Sequence, residues 1–159
     1  MSAPFTITID DAQVQAALTK LSRHVANLTP TMEDIGAKLG DLTEEAFQAE
    51  GPGWPALKPA TVKRRGSSGP ILQQDGGLAA GITHGGDAAS AWVGASKVYA
   101  AVHQFGNPAN KMYNRPGGNP APIPPRPYLP YRDGALTPAA QAEVMDILTD
   151  ALRAAIGQG

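Results

Sequence analysis

The stretch Tyr99-Ala100-Ala101-Val102-His103-Gln104-Phe105-Gly106 lies beyond the middle of a 159-residue chain. Residues 98–104 predict a short helical turn, which would bring a tyrosine, a valine and a histidine close together. Before it, short segments near residues 81–84 and 89–93 have the composition of strands. Gly85-Gly86-Asp87 between them is typical of a hairpin connection. The sequence therefore predicts a small antiparallel sheet followed closely by a helical turn.

Two amphipathic helices are predicted before this centre. Apolar and polar side chains first alternate over residues 5–9, as in a half-buried strand. Apolar residues then recur at spacings of three and four over residues 14–28 and again over residues 32–46, as on one face of a helix. Thr31 and Asp34 have the spacing of a capping box, which predicts Thr31 as the N-cap of the second helix.

A third amphipathic helix is predicted near the end of the chain. Thr137 can cap it, Pro138 suits its first turn, and a wide apolar stripe runs over residues 144–156. The predicted fold class is therefore α+β: a small antiparallel sheet with two N-terminal helices and one C-terminal helix packed on it, and a long Pro/Gly-rich loop. A chain of this length is expected to form a single domain over residues 1–159.

Glycine and proline account for 33 of the 159 residues, with 18 glycines and 15 prolines. Because both are concentrated in residues 51–70 and 107–130, these two segments are predicted to be extended loops. Eight of the prolines lie within residues 108–130. Proline lowers the ordering entropy of an extended segment, so this second loop is interpreted as an arm that lies along a neighbouring subunit. An ordinary disordered loop is the alternative.

The charges are segregated along the chain although the net charge is only −1. Residues 1–50 hold three Lys/Arg and eight Asp/Glu, residues 51–132 hold nine and two, and residues 133–159 hold one and four. The middle segment is therefore +7, between segments of −5 and −3. A segment this basic favours an anionic neighbour, which could be nucleic acid, an acidic face of a partner protein or the acidic helices of the same chain.

The sequence predicts a protein that is not an enzyme and has no cofactor. It has no cysteine, and its three histidines, His24, His84 and His103, lack the spacing of a metal site. It contains neither a Gly-Lys-Ser/Thr phosphate loop nor a Gly-x-Ser-x-Gly nucleophile elbow. We also expect no membrane contact, because a signal-peptide pattern and a long apolar run are both missing from the sequence.

Several motifs occur in one order along the chain: Trp54-Pro55-Ala56-Leu57 with Thr61, Ile71-Leu72, Gly77-Leu78, the stretch 99–106, and Pro125-Arg126-Pro127-Tyr128-Leu129. In this order they resemble the phage virion morphogenesis family, the tail-completion and head–tail joining proteins of tailed bacteriophages, including Mu-like ones. The resemblance extends from about residue 18 to residue 152. Residues 99–106 and 125–129 are its most specific parts.

The resemblance implies a structural virion protein without catalytic activity. Relatives have an α+β fold and assemble as rings, commonly hexameric, at the junction between capsid connector and tail, where the ring lets DNA pass. The expected partners are copies of the chain itself, head connector or neck proteins and tail tube proteins. The expected location is the virion, with host cytoplasm during assembly. The alternative is a nucleic-acid-binding protein that uses its basic middle segment on the phosphate backbone, and non-specific contact with passing DNA stays open.

Two groups of residues are singled out, neither with a catalytic role. The residues expected to contact a subunit or partner belong to the basic run and the proline arm: Lys63, Arg64, Arg65, Lys111, Arg115, Arg126 and Tyr128. The residues to which the resemblance assigns a structural role are Trp54, Leu57, Tyr99, His103, Phe105, Gly106, Pro127 and Leu129.

Overall fold

The structure, a computed structural model, describes residues 19, 22–23, 25–51, 53–108 and 122–157. The predicted strand at residues 5–9, most of the first predicted helix, and the arm residues Lys111 and Arg115 lie outside this part of the chain. Within it, helices and a small antiparallel hairpin occur together. The predicted α+β class is therefore confirmed.

The first fully described helix, α1, runs from Thr29 to Gln48. Its N-cap is Leu28, three residues before Thr31, so the capping-box prediction was wrong. The reason is Pro30, which lies in the first turn, where a backbone N–H has no partner within the helix and its loss therefore costs little. Thr31 is consequently inside the helix rather than at its N-cap. One face of α1 is buried along its length, and it comprises Thr31, Ile35, Gly36, Leu39, Gly40, Thr43 and Phe47.

The predicted hairpin is confirmed, with its strands displaced by one or two residues. Strands β1 (Ile82–Gly86) and β2 (Ala91–Ala95) pair antiparallel, with Ile82 opposite Ala95 and Gly86 opposite Ala91. A one-turn 3-10 helix, Ala79–Gly81, precedes β1. The hairpin loop is closed by the Asp87 carboxylate, which accepts hydrogen bonds from the backbone N–H groups of Ala89 and Ser90. These bonds lower the pKa of Asp87.

Residues 59–65 form a helix, α2 (Pro59–Arg65), and the prediction of an extended loop over residues 51–70 was wrong at this place. Pro59 lies in the first turn of the helix, and the Ala-Thr-Val-Lys-Arg-Arg sequence that follows has no residue that breaks a helix. The chain leaves the helix at Gly66 in the left-handed conformation, with φ of 74°. The basic run Lys63-Arg64-Arg65 is therefore the last turn of a helix.

The predicted helical turn near residue 100 is confirmed as helix α3 (Ala100–Phe105). Beyond the gap in the description, residues 122–130 run back along α3 without regular structure, and we call this segment the strap. A short hairpin follows, formed by two strands of two residues each, β3 (Tyr131–Arg132) and β4 (Ala135–Leu136). Helix α4 (Pro138–Gly157) then ends the described chain. Its start is as predicted, because the Thr137 hydroxyl accepts a hydrogen bond from the Ala140 N–H at 3.4 Å.

The core has two clusters, and α1 contributes to both. Its C-terminal half brings Phe47 to a cluster that joins α3, the strap and the loops on either side of α2. The buried members of that cluster are Phe47, Trp54, Ile71, Leu78, Ala100 and Tyr128. Its N-terminal half packs against α4 through Ile35, Leu39 and Ala140, with Val144, Ile147 and Leu148 around them.

Candidate functional site

The strap is fixed to the loop before α2 by side chains from both segments. The indole N–H of Trp54 donates to the Pro127 carbonyl oxygen at 2.9 Å. In the opposite direction, the Arg126 guanidinium donates to the carbonyl oxygens of Pro55 at 2.9 Å and Ala56 at 3.1 Å. These three bonds join residues 70 to 73 positions apart in sequence. They explain how two proline-rich segments with no strand pairing between them are held together.

The Gln104 side chain, on α3, fixes the other side of the strap. Its amide oxygen accepts hydrogen bonds from the backbone N–H groups of Tyr128 and Leu129, each at 3.0 Å. Its amide nitrogen donates to the Tyr131 carbonyl oxygen at 3.0 Å. Because Gln104 is only 3% exposed, these three backbone groups have little access to water in its place. A single glutamine therefore satisfies the backbone where the strap enters the core.

Tyr128 places an aromatic ring from the strap at the centre of the first core cluster. The ring is 2% exposed and its centroid lies 5.2 Å from that of Phe47, which in turn meets Trp54 edge to face at 6.0 Å. The hydroxyl group donates to the Ala100 carbonyl oxygen at 3.1 Å. Burial raises the pKa of Tyr128 to about 12. Tyr128 is therefore a neutral hydrogen-bond donor within the core.

The prediction that Arg126 and Tyr128 contact a neighbouring subunit does not fit their position. Arg126 is 6% exposed, and both residues bond to backbone carbonyls of their own chain. Burial lowers the pKa of Arg126. The physical reason is local: proline residues around 54–56 and 122–130 leave carbonyl groups without a helical or strand partner, and these two side chains supply the donors. Residues 122–130 of the predicted arm are accordingly a packed segment.

The other motif residues lie in different environments. Leu57, Tyr99 and Leu129 are partly buried against the first core cluster. Gly106 ends α3 where a Cβ atom would meet Pro125 of the strap, so no larger residue fits without a shift. Phe105, in contrast, is exposed.

His103 lies at the contact between α3 and the strap. Its backbone oxygen accepts a hydrogen bond from the Arg126 N–H at 2.7 Å, and its ring meets Tyr99 edge to face at 5.9 Å. The buried Nδ1 atom has no hydrogen-bond partner. Desolvation, aided by the positive charge of Arg126, lowers the pKa of His103. The surroundings of this ring thus favour the neutral imidazole.

The basic helix α2 exposes two of its three cations. Lys63 and Arg64 are exposed, whereas Arg65 donates to the Pro70 carbonyl oxygen at 2.8 Å. In the described part of the chain, ion pairs join only Lys38 to Glu143 at 3.6 Å and Arg153 to Asp150 at 3.4 Å. Neither pair involves the basic middle segment. Ion pairing with the acidic helices of the same chain is therefore not how the described cations of the middle segment are neutralised.

Helix α4 is apolar on two sides. Its inner face packs on α1, as described above, while Met145, Leu152 and Ile156 are 55%, 46% and 54% exposed. At about 100° per residue, the three exposed side chains share one stripe that lies about 115° around the helix from the buried face. The sequence pattern predicts one wide apolar stripe on this helix. The structure divides this stripe into a packed face and an open one.

No arrangement of a catalytic type is found in the described ranges. No three His, Asp or Glu side chains there come together as a metal site. No described helix is long and apolar enough to cross a membrane. The pKa changes described above follow from burial and from hydrogen bonds that hold the fold together. In the described residues, the buried side chains thus fix backbone segments, and the faces of α2 and α4 are open to other molecules.

Gln104 and Phe47 were not singled out from the sequence, although both organise the region around the strap. Phe47 is part of the predicted second helix but has no motif around it. Gln104 lies within the quoted stretch 99–106, and its one distinguishing signal is that it is a polar residue between apolar neighbours in a short helix. Such a residue is often buried and hydrogen-bonded, but its partners are remote in sequence and could not be identified.

Comparison with known proteins gives a consistent result over almost the whole chain. The model of the phage virion morphogenesis family matches residues 9–153. "Mu-like prophage FluMu G protein 2" of Haemophilus influenzae is 32% identical over 146 residues, which cover 91% of this chain and 93% of that protein. "Putative capsid assembly protein G" of Escherichia phage Mu is 30% identical over 167 residues, which cover 99% and 100%. No solved structure matches this chain.

Proposed function

The chain belongs to the phage virion morphogenesis family, and from this premise we propose that it is a ring-forming subunit of the phage head–tail junction. Membership of the family gives a role in building the virion. The proposal adds where the protein acts and how: copies of the chain form a ring, as a neck protein or a tail terminator, that joins the capsid connector to the tail and lets DNA pass. A hexamer is the expected ring.

The observation that carries the proposal is the open apolar stripe of Met145, Leu152 and Ile156 on α4. These three side chains are about half exposed and follow each other at spacings of seven and four residues, so they form a continuous line on the helix. A helix that is apolar on both sides is usually buried on both sides. The inner face is already covered by α1. A neighbouring subunit or virion protein would cover the outer one.

A ring also requires that each subunit contact two neighbours through different surfaces. Such heterologous contacts generate a ring when the rotation between neighbours closes, whereas a two-fold contact stops at a dimer. The outer stripe of α4 and the exposed basic turn of α2 belong to different elements of the subunit. A subunit can therefore use them for two different contacts.

The proposed external partners are the head connector or neck proteins and the tail tube proteins. The relative from phage Mu is described as a putative capsid assembly protein, and a subunit that meets the head at the junction is compatible with that description. No catalytic step is part of the proposal. The strap and its hydrogen bonds serve to keep the subunit body rigid while its outer surfaces bind.

Electron microscopy of particles made without this protein tests the proposal. A tail terminator predicts free tails of uncontrolled length. A joining protein predicts full heads beside separate tails of normal length. Expression of the wild-type chain from a plasmid should restore joined particles, and the inactive control is the same plasmid with a stop codon. Complete, infectious particles assembled in the absence of the protein would contradict the proposal.

A further inference from the structure

The basic helix α2 lacks the packing that normally stabilises a helix of its length. It has seven residues, none of them buried, whereas isolated helices of fewer than about 12 residues are marginal in water. Its flanks are held by Trp54, Arg126 and Arg65, so the helix is presented outward at a fixed place. The exposed cations Lys63 and Arg64 have no ion-pair partner in the described ranges. Both features point to a partner that supplies apolar contact and negative charge.

A groove between α1 and α4 has the complementary character. Its floor is formed by small and apolar side chains, Ala37, Ile147 and Ala151, and its rim carries Asp34, Asp41 and Asp150. The lining contains three aspartates and one lysine, a net charge of −2.

The charged residues beside this groove do not neutralise the net negative charge of its lining. The lining lysine, Lys38, is paired with Glu143, and Arg153 is paired with Asp150. Asp34 and Asp41 have no ion-pair partner in the described ranges. The rim of the groove on the α1 side therefore presents two carboxylates without an ion-pair partner in the described ranges, with the paired Lys38 between them.

We propose that this groove receives helix α2 of a second copy of the chain, with Lys63 and Arg64 facing Asp34 and Asp41. The two aspartates lie about 10 Å apart along α1 at 1.5 Å per residue. Lys63 and Arg64 are consecutive residues, and their long, flexible side chains can diverge to reach both carboxylates. The charges are opposite, and desolvation in the groove would strengthen their attraction. The inference rests on the proposed ring, for which it names the contact between successive subunits.

This contact is heterologous, because the groove of one subunit meets α2 of the next. Each subunit then uses both surfaces once, and the contact can repeat around a closed ring. The contact is also predicted to weaken with salt, since its charged groups lie at the rim where ions screen them.

Charge reversal tests the inference on the full-length protein. The variant Lys63→Glu/Arg64→Glu should weaken self-association about tenfold or more, measured by sedimentation at low salt, because like charges then face each other. Asp34→Lys/Asp41→Lys should do the same. The chain with all four substitutions should associate again, since opposite charges are restored in reversed order. Arg132→Glu, an exposed cation on β3, is the matched control and should assemble like the wild type.

The outcomes separate this inference from the proposed ring. Wild-type rings that are unaffected by either pair of reversals would overturn the docking of α2 and leave the ring in place. A wild type that never associates would overturn both. Loss of retention on duplex DNA by Lys63→Glu/Arg64→Glu, with assembly unchanged, would overturn the docking of α2 and assign these cations to phosphate contact. Circular dichroism of each variant verifies that it is folded.

Discussion

At the residue scale, buried polar side chains replace the backbone pairing that proline-rich segments cannot make. Gln104, Trp54 and Arg126 together bond to six backbone groups of the strap, the start of β3 and the loop before α2. Each bond adds only about 1 kcal/mol net, but a buried backbone group left without its partner costs about 1–3 kcal/mol. The strap is therefore sensitive to single substitutions at these positions.

Replacement of Gln104 by leucine should lower the free energy of unfolding by about 2–4 kcal/mol. The leucine has a similar size, but the buried N–H group of Tyr128 and the partly buried N–H group of Leu129 lose their acceptor. Urea unfolding of the purified protein measures the effect. Gln74→Leu, in an exposed loop, is the control and should change stability little. Equal stability of the Gln104 and Gln74 variants would refute this role of Gln104.

His103 should make stability depend on pH in the weakly acid range. Its pKa in the folded state lies below the ordinary value of 6.5, so the unfolded state binds more protons between these two values. The contribution of His103 to the free energy of unfolding is fully present above about pH 6.5. It decreases as the pH drops towards the lowered pKa of the folded state and is lost below that pKa.

The substitution His103→Gln should flatten this part of the pH profile. The free energy of unfolding of wild type and variant is measured with denaturant between about pH 8 and pH 5. The difference between the two proteins at pH 8 is the reference, because the imidazole is neutral there in both the folded and the unfolded state. The wild type should lose more stability than the variant on acidification. Parallel profiles of the two proteins would contradict the assignment.

At the element scale, helix and strand identities could be predicted more reliably than their ends. Periodicity identified α1 and α4, because each has a regular apolar pattern, whereas strand composition and the Gly85-Gly86-Asp87 connection identified the hairpin. The start of α1 was misplaced since Thr31 and Asp34 imitate a capping box inside a helix that Pro30 already begins. Helix α2 was missed because its seven residues are too few for a period and lie between glycines and prolines. The route of the strap depends on contacts across about 70 residues, which local patterns do not contain.

The close approach of α1 to the hairpin reverses the usual effect of a glycine substitution. In a helix, Gly→Ala ordinarily stabilises by about 1 kcal/mol. At Gly36, an added Cβ atom would overlap the carbonyl group of Gly85 in β1. Gly36→Ala should therefore destabilise the protein by about 1–3 kcal/mol, as overpacking does.

Thermal unfolding measures this effect, and α4 offers the control. Gly157 is also helical, and an added Cβ atom there has no neighbour within 4 Å. Gly157→Ala should leave the midpoint unchanged or raise it slightly. If Gly36→Ala were as stable as Gly157→Ala, the packing of α1 against β1 described here would be wrong.

At the scale of the whole molecule, two core clusters hold one long helix between the strap and α4, while apolar and charged surfaces remain open outside them. The family resemblance, from motifs spread over most of the sequence, agreed with the family to which the chain belongs. The surfaces could not be read from the sequence in the same way. Arg126 and Tyr128 have the composition of contact residues but are buried, whereas Met145 and Leu152 look like core residues but are exposed.

The native mass of the wild type and of a variant with charges in the outer stripe of α4 tests most directly whether copies of the chain form a ring. The wild type should form a closed oligomer, a whole-number multiple of the 16.5 kDa chain. Met145→Glu/Leu152→Glu should sediment as smaller species, and its circular dichroism should match that of the wild type because both side chains are about half exposed in the subunit. Ala139→Glu, at an exposed position about 120° around the same helix from Met145, should assemble like the wild type. A wild type that stays a 16.5 kDa monomer at high concentration and is missing from purified particles would contradict the account.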